Sequence, residues 1–594
     1  MKLLKSVRMI RGNIMLLMRH FKKYYIDYLL SYIIGISVLI FIDYLQLFIP
    51  QYVGEIIDVL EGNQNFEIVF NLITSIVLIA LVVTAGRFIW RYTIFGASRN
   101  IQFDLMNKMF RHSTELQQDF YSKQKVGAMM ALYTNDLEAV RKIYGPGILL
   151  IFDAITLGSF ALFRMFSLNS NLTLFVIFPL MFLSFVSYFI IKKMRKRFKI
   201  RQKSFEELSD FTQENFSGWS VIKAFVKEIS QSSFFRKKSE KLYSKTISYV
   251  KINIFFEIII RLIENIIIMF VIIYGSINVI SFSDGLTPGE LAQYLAYFFT
   301  LLWPTFALAR FFSIQSQAKA SAARISEFLD SAVTVKDPEN IVIKNLSGNI
   351  ELKNLSFKYP DGDKNVLDNV SFKINKGEMV GILGKTGSGK SSLVDLFLRT
   401  YNVNEKQLFI DGIDIMELSI KNVRNLMGYV PQDNFLFSET VSYNIAFGLD
   451  KNYSDQKVID SSKLADVHDN IINFKEKYDT VLGERGVTIS GGQKQRISIA
   501  RALAKDPEIL ILDDSVSSVD TKTEEAIINN LQKIRKNRTT IFIAHRISTV
   551  KNMDRIILMD KGKVVAMDKH ENLLKSSELY REMVKKQKLE EMNI

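Results

Sequence analysis

The residues with the most specific chemistry form one glycine-rich run, Gly384-Lys385-Thr386-Gly387-Ser388-Gly389-Lys390-Ser391, continued by Ser392. It follows the strand-like Met379–Leu383 and leads into a helix-like segment. In that context the glycines let backbone N–H groups curl around phosphates, assisted by the positive end of the helix. Lys390 adds positive charge at the β- and γ-phosphates, and the Ser391 hydroxyl is expected to ligate Mg²⁺. The spacing predicts a phosphate-binding P-loop.

A second chemical feature is the acidic pair Asp513-Asp514, which follows the apolar strand-like segment Ile509–Leu512. A carboxylate at the end of such a strand can hold Mg²⁺ directly or through water, and we expect Asp513 to do so. The alternative is a buried strand followed by two surface acids. The P-loop upstream favours the magnesium role.

The composition indicates which class of protein contains these residues. The chain has 594 residues, 48% of them hydrophobic, yet its net charge is +15 and it has no Cys. A high hydrophobic fraction and a large positive charge can occur together when long apolar helices lie in lipid and the Lys and Arg residues lie on one side of the membrane. A nucleic-acid partner would also explain the charge, but the basic residues lie beside apolar segments, so none is predicted. The basic segment Met1–Lys23 lacks the features of a cleaved signal peptide.

Six apolar stretches are long enough to cross a bilayer, which takes about 20 helical residues. They lie near 28–49, 68–90, 147–167, 172–191, 255–280 and 291–312. We therefore predict a transmembrane domain over 1–328, a linker over 329–349 and a soluble α/β domain over 350–594.

Orientation is predicted from the loops. Gln51–Asn65, Leu168–Asn171 and Ser281–Glu290 contain no Lys or Arg, whereas the N-terminus and the long connections 91–144 and 192–251 are rich in them. Both chain ends are therefore expected in the cytoplasm. Gly285–Gly289 is interpreted as a turn. The long connections have helical patterns, and the second is expected to reverse direction near Thr212–Trp219.

Charged residues inside the apolar stretches are costly, about 2.5–3.5 kcal/mol each at a helix centre. Glu257, Arg261 and Glu264 lie at i, i+4 and i+7, on one helix face. The favoured interpretation is an internal ion-pair cluster that locks helices together. The alternative is a polar patch of a substrate cavity that accepts cations. Weaker candidates of the same kind are Asp43, Asp153, Arg164 and Arg310.

With these motifs in this order, the whole chain resembles the ATP-binding cassette (ABC) exporters that fuse a membrane domain to a nucleotide-binding domain. The resemblance implies an all-α six-helix transmembrane domain of type IV exporter form, with long intracellular helix extensions, followed by an α/β P-loop ABC domain that binds ATP and Mg²⁺. Further positions are similar to family motifs: Tyr359 to the residue that stacks on adenine, Gln432 to the Q-loop glutamine that touches Mg²⁺ and water, Gly483–Gly486 to an exporter segment at the domain contact, Ile489-Ser490-Gly491-Gly492-Gln493 to the signature, Ser517–Asp520 to the D-loop, and His545 to the switch histidine.

The resemblance also implies a second half-transporter, because the family's signature caps ATP held by the opposite subunit's P-loop. One position departs from the pattern: active members place Glu after the magnesium-binding Asp, and this chain has Asp514. Its carboxylate falls short by more than about 1 Å, a displacement that can cost about 100-fold in rate. The resemblance is therefore to the low-activity half of a heterodimer. Compensation by a small backbone shift is the alternative, and a homodimer remains possible.

The resemblance favours ATP-driven export of amphipathic drug-like or lipid-like compounds across the plasma membrane. Lipid flipping, peptide export and an ATP-binding regulatory or sensing subunit are the alternatives.

Overall fold

The computed structural model describes residues 20–62, 65–281, 285–339, 341–342, 346–449, 453–483, 486, 488–515 and 520–592. These residues form two compact units. The first falls within Met1–Phe110 and Gly127–Asp330, and the second within Arg111–Val126 and Ser331–Ile594. Residues 111–126, which the sequence prediction placed in the membrane domain, thus group with the nucleotide-binding part of the chain.

The first unit is entirely helical in its described part. Residues 20–27 are helical. The helices that follow, with the two short ones that belong to residues 111–131, are α1 Leu29–Gln46, α2 Phe48–Glu61, α3 Phe66–Trp90, α4 Gly96–Glu115, α5 Gln118–Lys123, α6 Val126–Ala131, α7 Leu137–Lys142, α8 Ile148–Leu168, α9 Ser170–Ser217, α10 Trp219–Ala224, α11 Glu228–Ser281 and α12 Pro288–Leu329. Three π-helical turns, Arg91–Phe95, Leu132–Asp136 and Ile143–Gly147, make several of these helices continuous.

The predicted membrane spans lie in these helices. Among the described residues, four continuous helices are long and apolar enough to cross a membrane: Leu29–Glu61, Phe66–Glu115, Val126–Leu168 and Pro288–Leu329. Ser170–Phe182 is a shorter apolar helical stretch. The predicted span 255–280 lies within α11, which is not among the four. Large apolar side chains on the outer faces, such as Phe178 and Phe88, are exposed, as expected of surfaces that meet lipid.

Two predicted loops are helical instead. Gln51–Asn65 was expected to be an outer loop, but α2 runs to Glu61, and its Asp58 accepts hydrogen bonds from Thr287 Oγ1 (2.6 Å) and Gly289 N (2.7 Å). The predicted turn Gly285–Gly289 is replaced after Thr287 by the start of α12. Thr287 and Glu290 form a capping box and Pro288 is the first helical residue, a combination that initiates helices.

The two long connections between predicted spans are largely helical, as predicted from their pattern. Helix α9 ends at Ser217, and the short α10 precedes α11, which returns along α9. An ion pair of 2.6 Å between Lys241 and Glu207 joins the two long helices. The reversal therefore lies in the region expected from the sequence.

The second unit contains two sheets. Its strands are β1 Ile350–Phe357, β2 Leu367–Ile374, β3 Met379–Gly384, β4 Leu408–Ile410, β5 Ile413–Asp414, β6 Met427–Val430, β7 Ile509–Asp513, β8 Thr539–Ala544, β9 Arg555–Asp560 and β10 Lys563–Asp568. The antiparallel sheet has the order β2-β1-β4-β5, and the six-stranded sheet, which is mostly parallel, has the order β10-β9-β3-β8-β7-β6. The helices are α13 Lys390–Phe397, α14 Ile420–Leu426, α15 Val441–Ala446, α16 Asp455–Leu464, α17 His468–Ile472, α18 Gly491–Ala504, α19 Thr521–Ile534, α20 Ile547–Val550, α21 His570–Ser576 and α22 Glu578–Met592.

The parallel sheet brings the predicted motifs to one edge. Strands β3, β7 and β8 are buried along their whole length, which explains their continuous apolar sequences. Leu383 pairs with Ala544, and Asp513 pairs with Ile543. The carboxyl ends of the three strands therefore lie side by side, where ligands of open α/β sheets usually bind.

Candidate nucleotide-binding site

The P-loop joins β3 to α13 at this edge. Gly387 and Gly389 have φ values of +80° and +96°, a backbone region that residues with a Cβ rarely adopt. A Cβ on Gly389 would also lie 2.7 Å from Leu367 Cδ2. The two glycines thus allow the tight loop that directs backbone N–H groups to one point.

Lys390, the first residue of α13, is buried, and its ammonium is held by the loop. Its Nζ donates to the carbonyl oxygens of Gly384 (2.8 Å) and Lys385 (3.1 Å). Burial lowers the pKa of Lys390, and the charges of Asp513 and Asp514 act in the opposite direction. A bound phosphate would supply the strong anionic partner that these carbonyls do not.

Asp513 ends the buried strand β7 and is itself buried. Burial raises the pKa of Asp513 to about 6, the charge of Asp514 adds to this, and Lys390 and a hydrogen bond with Ser391 oppose it. The Ser391 hydroxyl and the Asp513 carboxylate are hard oxygen donors of the kind that Mg²⁺ prefers. No cluster of three or more His, Cys, Asp or Glu able to hold a metal occurs in the described residues. These donors fit a Mg²⁺ that arrives with nucleotide phosphates.

Asp514 occupies an unusual backbone conformation, with φ of +45°, where its N–H donates to Ile543 O at 2.8 Å. Its Oδ2 lies 3.4 Å from Gln432 Nε2, and its carbonyl accepts from Gln495 Nε2 at 3.3 Å. Burial and the charge of Lys390 lower the pKa of His545, while Asp514 acts to raise it. The structure thus places Gln432, Asp514 and His545 close to the P-loop lysine and to each other, and their roles in hydrolysis stay predictions.

Tyr359 lies against the P-loop helix. Its hydroxyl is 2.9 Å from Ser392 Oγ and 3.0 Å from Asp395 Oδ2. Its ring packs edge-on against Tyr401, with centroids 5.1 Å apart, and against Phe357. The predicted stacking residue is therefore oriented by the same helix that carries Lys390.

Three residues that contact Tyr359 or Asp514 were not predicted from the sequence: Asp395, Tyr401 and Gln495. Asp395 and Tyr401 hold Tyr359, and Gln495 connects the helix after the signature to Asp514. Each acts through a tertiary contact between elements, so neither spacing nor residue type distinguishes it. Gln495 lies only two residues after the predicted motif, which was the one available signal.

The signature residues begin α18. Ser490 and Gln493 form a capping box, and Gly491 has open space where a Cβ would be. Ser490 and Gly491 are exposed, and Ile489 and Gly492 are partly exposed. This helix N-terminus is therefore available to an anion presented from outside the unit.

Two further motifs are only partly described. Asp520 caps α19 by accepting from Thr523 N, but Ser517, Ser518 and Val519 lie outside the described residues. Of Gly483–Gly486, Glu484 and Arg485 lie outside them as well.

The expected ion-pair cluster in the membrane unit is not formed. Within the described part of the chain, no ion pair within 4.0 Å joins Glu257, Arg261 and Glu264. Glu257 instead accepts from Asn253 Nδ2 at 2.9 Å, and both Glu257 and Arg261 are exposed. Spacing alone placed the three on one face, and spacing does not decide whether the side chains meet.

Three of the four weaker candidates, Asp43, Asp153 and Arg164, contact neighbouring helices. Buried Asp43 accepts a hydrogen bond from Thr156, and Asp153 accepts from Trp303 Nε1 at 2.5 Å. The Arg164 guanidinium lies 5.2 Å from the centroid of the Phe48 ring, and Arg310 is exposed.

Fold and site together define a P-loop ATPase joined to a helical membrane domain. Residues 32–305 match the family model of the ABC transporter transmembrane region, and residues 367–517 match the family model described as ABC transporter. The chain is 36% identical to the multidrug resistance-like ATP-binding protein MdlA of Escherichia coli, over 94% of both chains. It is 35% identical to a probable multidrug resistance ABC transporter protein of Bacillus subtilis, YheI, over 95% of this chain and 96% of that protein.

Two further similarities extend the comparison. An ATP-dependent lipid A-core flippase of Syntrophus aciditrophicus is 34% identical, over 86% of this chain and 84% of that protein. The solved structure of a bacterial Atm1-family ABC exporter with ATP bound superposes with a TM-score of 0.74 at 24% identity, covering 96% of this chain and 98% of that chain. The chain belongs to the ABC transporter family, as an exporter with fused transmembrane and ATP-binding domains.

Membership confirms the predicted fold class and the identification of the family. The protein is a multi-pass membrane protein whose cassette binds ATP and couples its hydrolysis to transport. ABC exporters work as dimers of half-transporters, which agrees with a signature helix whose N-terminus is free to face outward.

Proposed function

We propose that this chain is one half of a heterodimeric exporter that uses ATP to move amphipathic drug-like or lipid-like compounds out across the plasma membrane. Both chain ends would lie in the cytoplasm, as the Lys- and Arg-free segments Leu168–Asn171 and Ser281–Glu290 suggest. The main support for cargo of this kind is the 36% identity, over nearly the full length, to a multidrug resistance-like protein.

The residues of the cassette would have these roles. Lys390 and the backbone of Gly384–Ser392 bind the phosphates, and Tyr359 stacks on adenine. Ser391, Gln432 and Asp513 hold Mg²⁺, which neutralises developing phosphate charge during hydrolysis. His545 and Gln432 orient the attacking water and the γ-phosphate. Ile489–Gln493 caps the nucleotide of the partner subunit.

We further propose that the site on this chain's own P-loop cleaves ATP slowly. The support is Asp514, whose short carboxylate lies beside Gln432 and carries one methylene less than Glu. A misplacement of about 1 Å can cost about 100-fold in rate. The partner would supply a faster site, completed by the signature of this chain.

The experiment is purification of the tagged chain from its own host's membranes, followed by identification of the co-purifying half-transporter. The complex and the chain alone are then reconstituted into liposomes. ATP-dependent uptake of ethidium into inward-pumping liposomes is expected of the complex only. Brisk ATP hydrolysis by the chain alone would refute the heterodimer.

A lipid flippase is the second candidate, because a relative at 34% identity is a lipid A-core flippase. Dithionite protection of a fluorescent phospholipid in the same liposomes separates the two functions. Movement of neither dye nor lipid, with ATP bound but not cleaved, would instead favour a regulatory subunit.

A further inference from the structure

A cavity of about 410 Å³ lies in the first unit between three segments of the chain. Its walls are formed by residues 21–25, residues 140–144 and residues 315–322 of α12. Each segment directly adjoins a predicted span, at the end that we assign to the cytoplasm. The cavity therefore lies at the depth where the headgroups of the cytoplasmic leaflet meet water.

The cavity combines an apolar floor with a cationic rim. Seven of its ten lining residues are apolar or aromatic, and the other three are Lys22, Gln315 and Lys319. None of the ten is acidic. Lys22 and Lys319 are exposed and come from different walls, and neither forms an ion pair within 4.0 Å with a described residue. Two ammonium groups thus face the same space, with no acidic side chain within 4.0 Å in the part of the chain that the structure describes.

Hydrogen bonds and ring contacts fix the floor. The Tyr144 hydroxyl donates to Phe21 O at 2.9 Å, and the Tyr32 hydroxyl donates to Tyr144 O at 2.9 Å. The rings of Tyr25 and Tyr144 have centroids 4.6 Å apart. The N-terminal segment is therefore held on the residues that precede α8.

We propose that this cavity binds the headgroup and first acyl methylenes of an anionic phospholipid from the cytoplasmic leaflet. Two unpaired lysines disfavour a cation and attract a phosphate, as in other basic pockets at the cytoplasmic ends of membrane helices. A soluble anion would bury no apolar surface against the floor, whereas the acyl methylenes of a lipid would. The volume accommodates a headgroup and not a whole lipid, so the tails would extend into the bilayer.

The proposal rests on the membrane placement given above and not on the transported cargo. A lipid bound there would connect Lys22 of the N-terminal segment to Lys319 of α12. Anionic lipid would then stabilise the packing of these two segments, apart from any effect on ATP binding.

The test is photolabelling of the full-length complex in nanodiscs that contain phosphatidylglycerol with a diazirine near its glycerol. Labelled peptides are mapped by mass spectrometry. Label is expected in residues 21–25, 140–144 or 315–322, and the double variant Lys22→Gln with Lys319→Gln should reduce it about 30-fold. The matched control, Lys23→Gln with Lys192→Gln, removes two exposed lysines outside the cavity and should label like the original protein.

Other arms identify the ligand. Inorganic phosphate at millimolar concentration should not compete, whereas unlabelled phosphatidylglycerol should, and a phosphatidylcholine probe should label weakly. If the double variant does not assemble, Gln315→Trp at the rim is used instead. It blocks the cavity and keeps both lysines, so it should also reduce labelling. The proposal would be overturned by any of three results. The neutral probe could label equally, free phosphate could compete, or the label could be unchanged in both the double variant and Gln315→Trp. Because labelling needs no ATP, its failure is distinct from a failure of transport.

Discussion

The side-chain amide of Gln432 lies 3.4 Å from Oδ2 of Asp514, just beyond the carboxyl ends of the paired strands β6 and β7. The Asp514 backbone, at φ of +45°, is fixed by its hydrogen bond to Ile543 O. Since the backbone is fixed, the reach of the carboxylate depends on side-chain length. A residue one methylene longer would place its oxygens closer to the end of the P-loop.

Asp514→Glu is therefore expected to raise ATP turnover at this site, by up to about 100-fold. Phosphate release is measured for the reconstituted complex. The partner's own catalytic carboxylate is replaced, so that the released phosphate comes only from this chain's site. The left-handed backbone favours Asp over Glu, so a small loss of stability should accompany the gain.

Asp514→Asn serves as the control, because it keeps the length and removes the charge. It should leave turnover at or below the original low level. Unchanged turnover in Asp514→Glu would mean that carboxylate reach does not limit the rate here.

Lys390→Ala is expected to weaken ATP binding about 10- to 100-fold, because it removes charge-assisted hydrogen bonds to phosphate. It also removes the Nζ donor from the carbonyls of Gly384 and Lys385. Binding of a fluorescent ATP analogue to the purified complex measures the change.

Lys376→Ala is the matched control, since Lys376 is an exposed lysine in the turn before β3. It should bind the analogue like the original chain. Equal affinity in Lys390→Ala, or ATP-driven transport that survives Lys390→Ala in both subunits, would contradict the assigned role of the P-loop.

The elements with local signals were predictable from the sequence. The P-loop was recognised from the spacing of its glycines. The strands before Asp513 and His545 were recognised from their apolar runs. Both signals are contained in a few consecutive residues. Asp395 and Tyr401 were missed because their role depends on how α13 and Tyr359 pack, which no local pattern encodes. Residues 51–61 of α2 were predicted as part of a loop because they lie between two long apolar stretches, although these residues permit a helix.

Gln117 illustrates the same limit, since it joins two segments far apart in sequence. Its Nε2 donates to Ala332 O at 3.4 Å, and its Oε1 accepts from Thr334 N at 3.2 Å. Asn402 Nδ2 also donates to Thr334 O, at 3.0 Å. The residues after α12 are thus held by Gln117 and by the cassette at once.

Gln117→Leu is expected to speed hydrogen exchange of the Thr334 amide about 5- to 30-fold, because one or two hydrogen bonds of about 1 kcal/mol are lost. Exchange mass spectrometry of a peptide covering 331–339 measures it. Gln118→Leu, at the adjacent exposed position, should have no effect. Equal exchange in both variants would show that Gln117 does not restrain this segment.

Asp411 anchors the residues before β1, and its ionisation should therefore contribute to stability. It accepts from Ser347 Oγ (2.8 Å), Gly348 N (3.1 Å) and Asn349 Nδ2 (2.6 Å). Burial acts to raise the pKa of Asp411, but the hydrogen bonds from Asn349 and Ser347 outweigh it and lower the pKa to about 2. A lowered pKa in the folded state stabilises above the unfolded value of about 3.9, and this stability is lost as pH falls through about 2.

Asp411→Asn should accordingly lower the free energy of unfolding by about 1–2 kcal/mol at pH 7.5, a fall in Tm of about 3–6 °C. The difference from the original chain should shrink as pH falls from about 4 towards 2, because Asp411 becomes protonated over that range. Thermal denaturation of the detergent-solubilised full chain measures both. Asp363→Asn, at an exposed position, is the control and should leave Tm unchanged. A difference in Tm that stays constant down to pH 2 would show that Asp411 acts through shape and not through its charge.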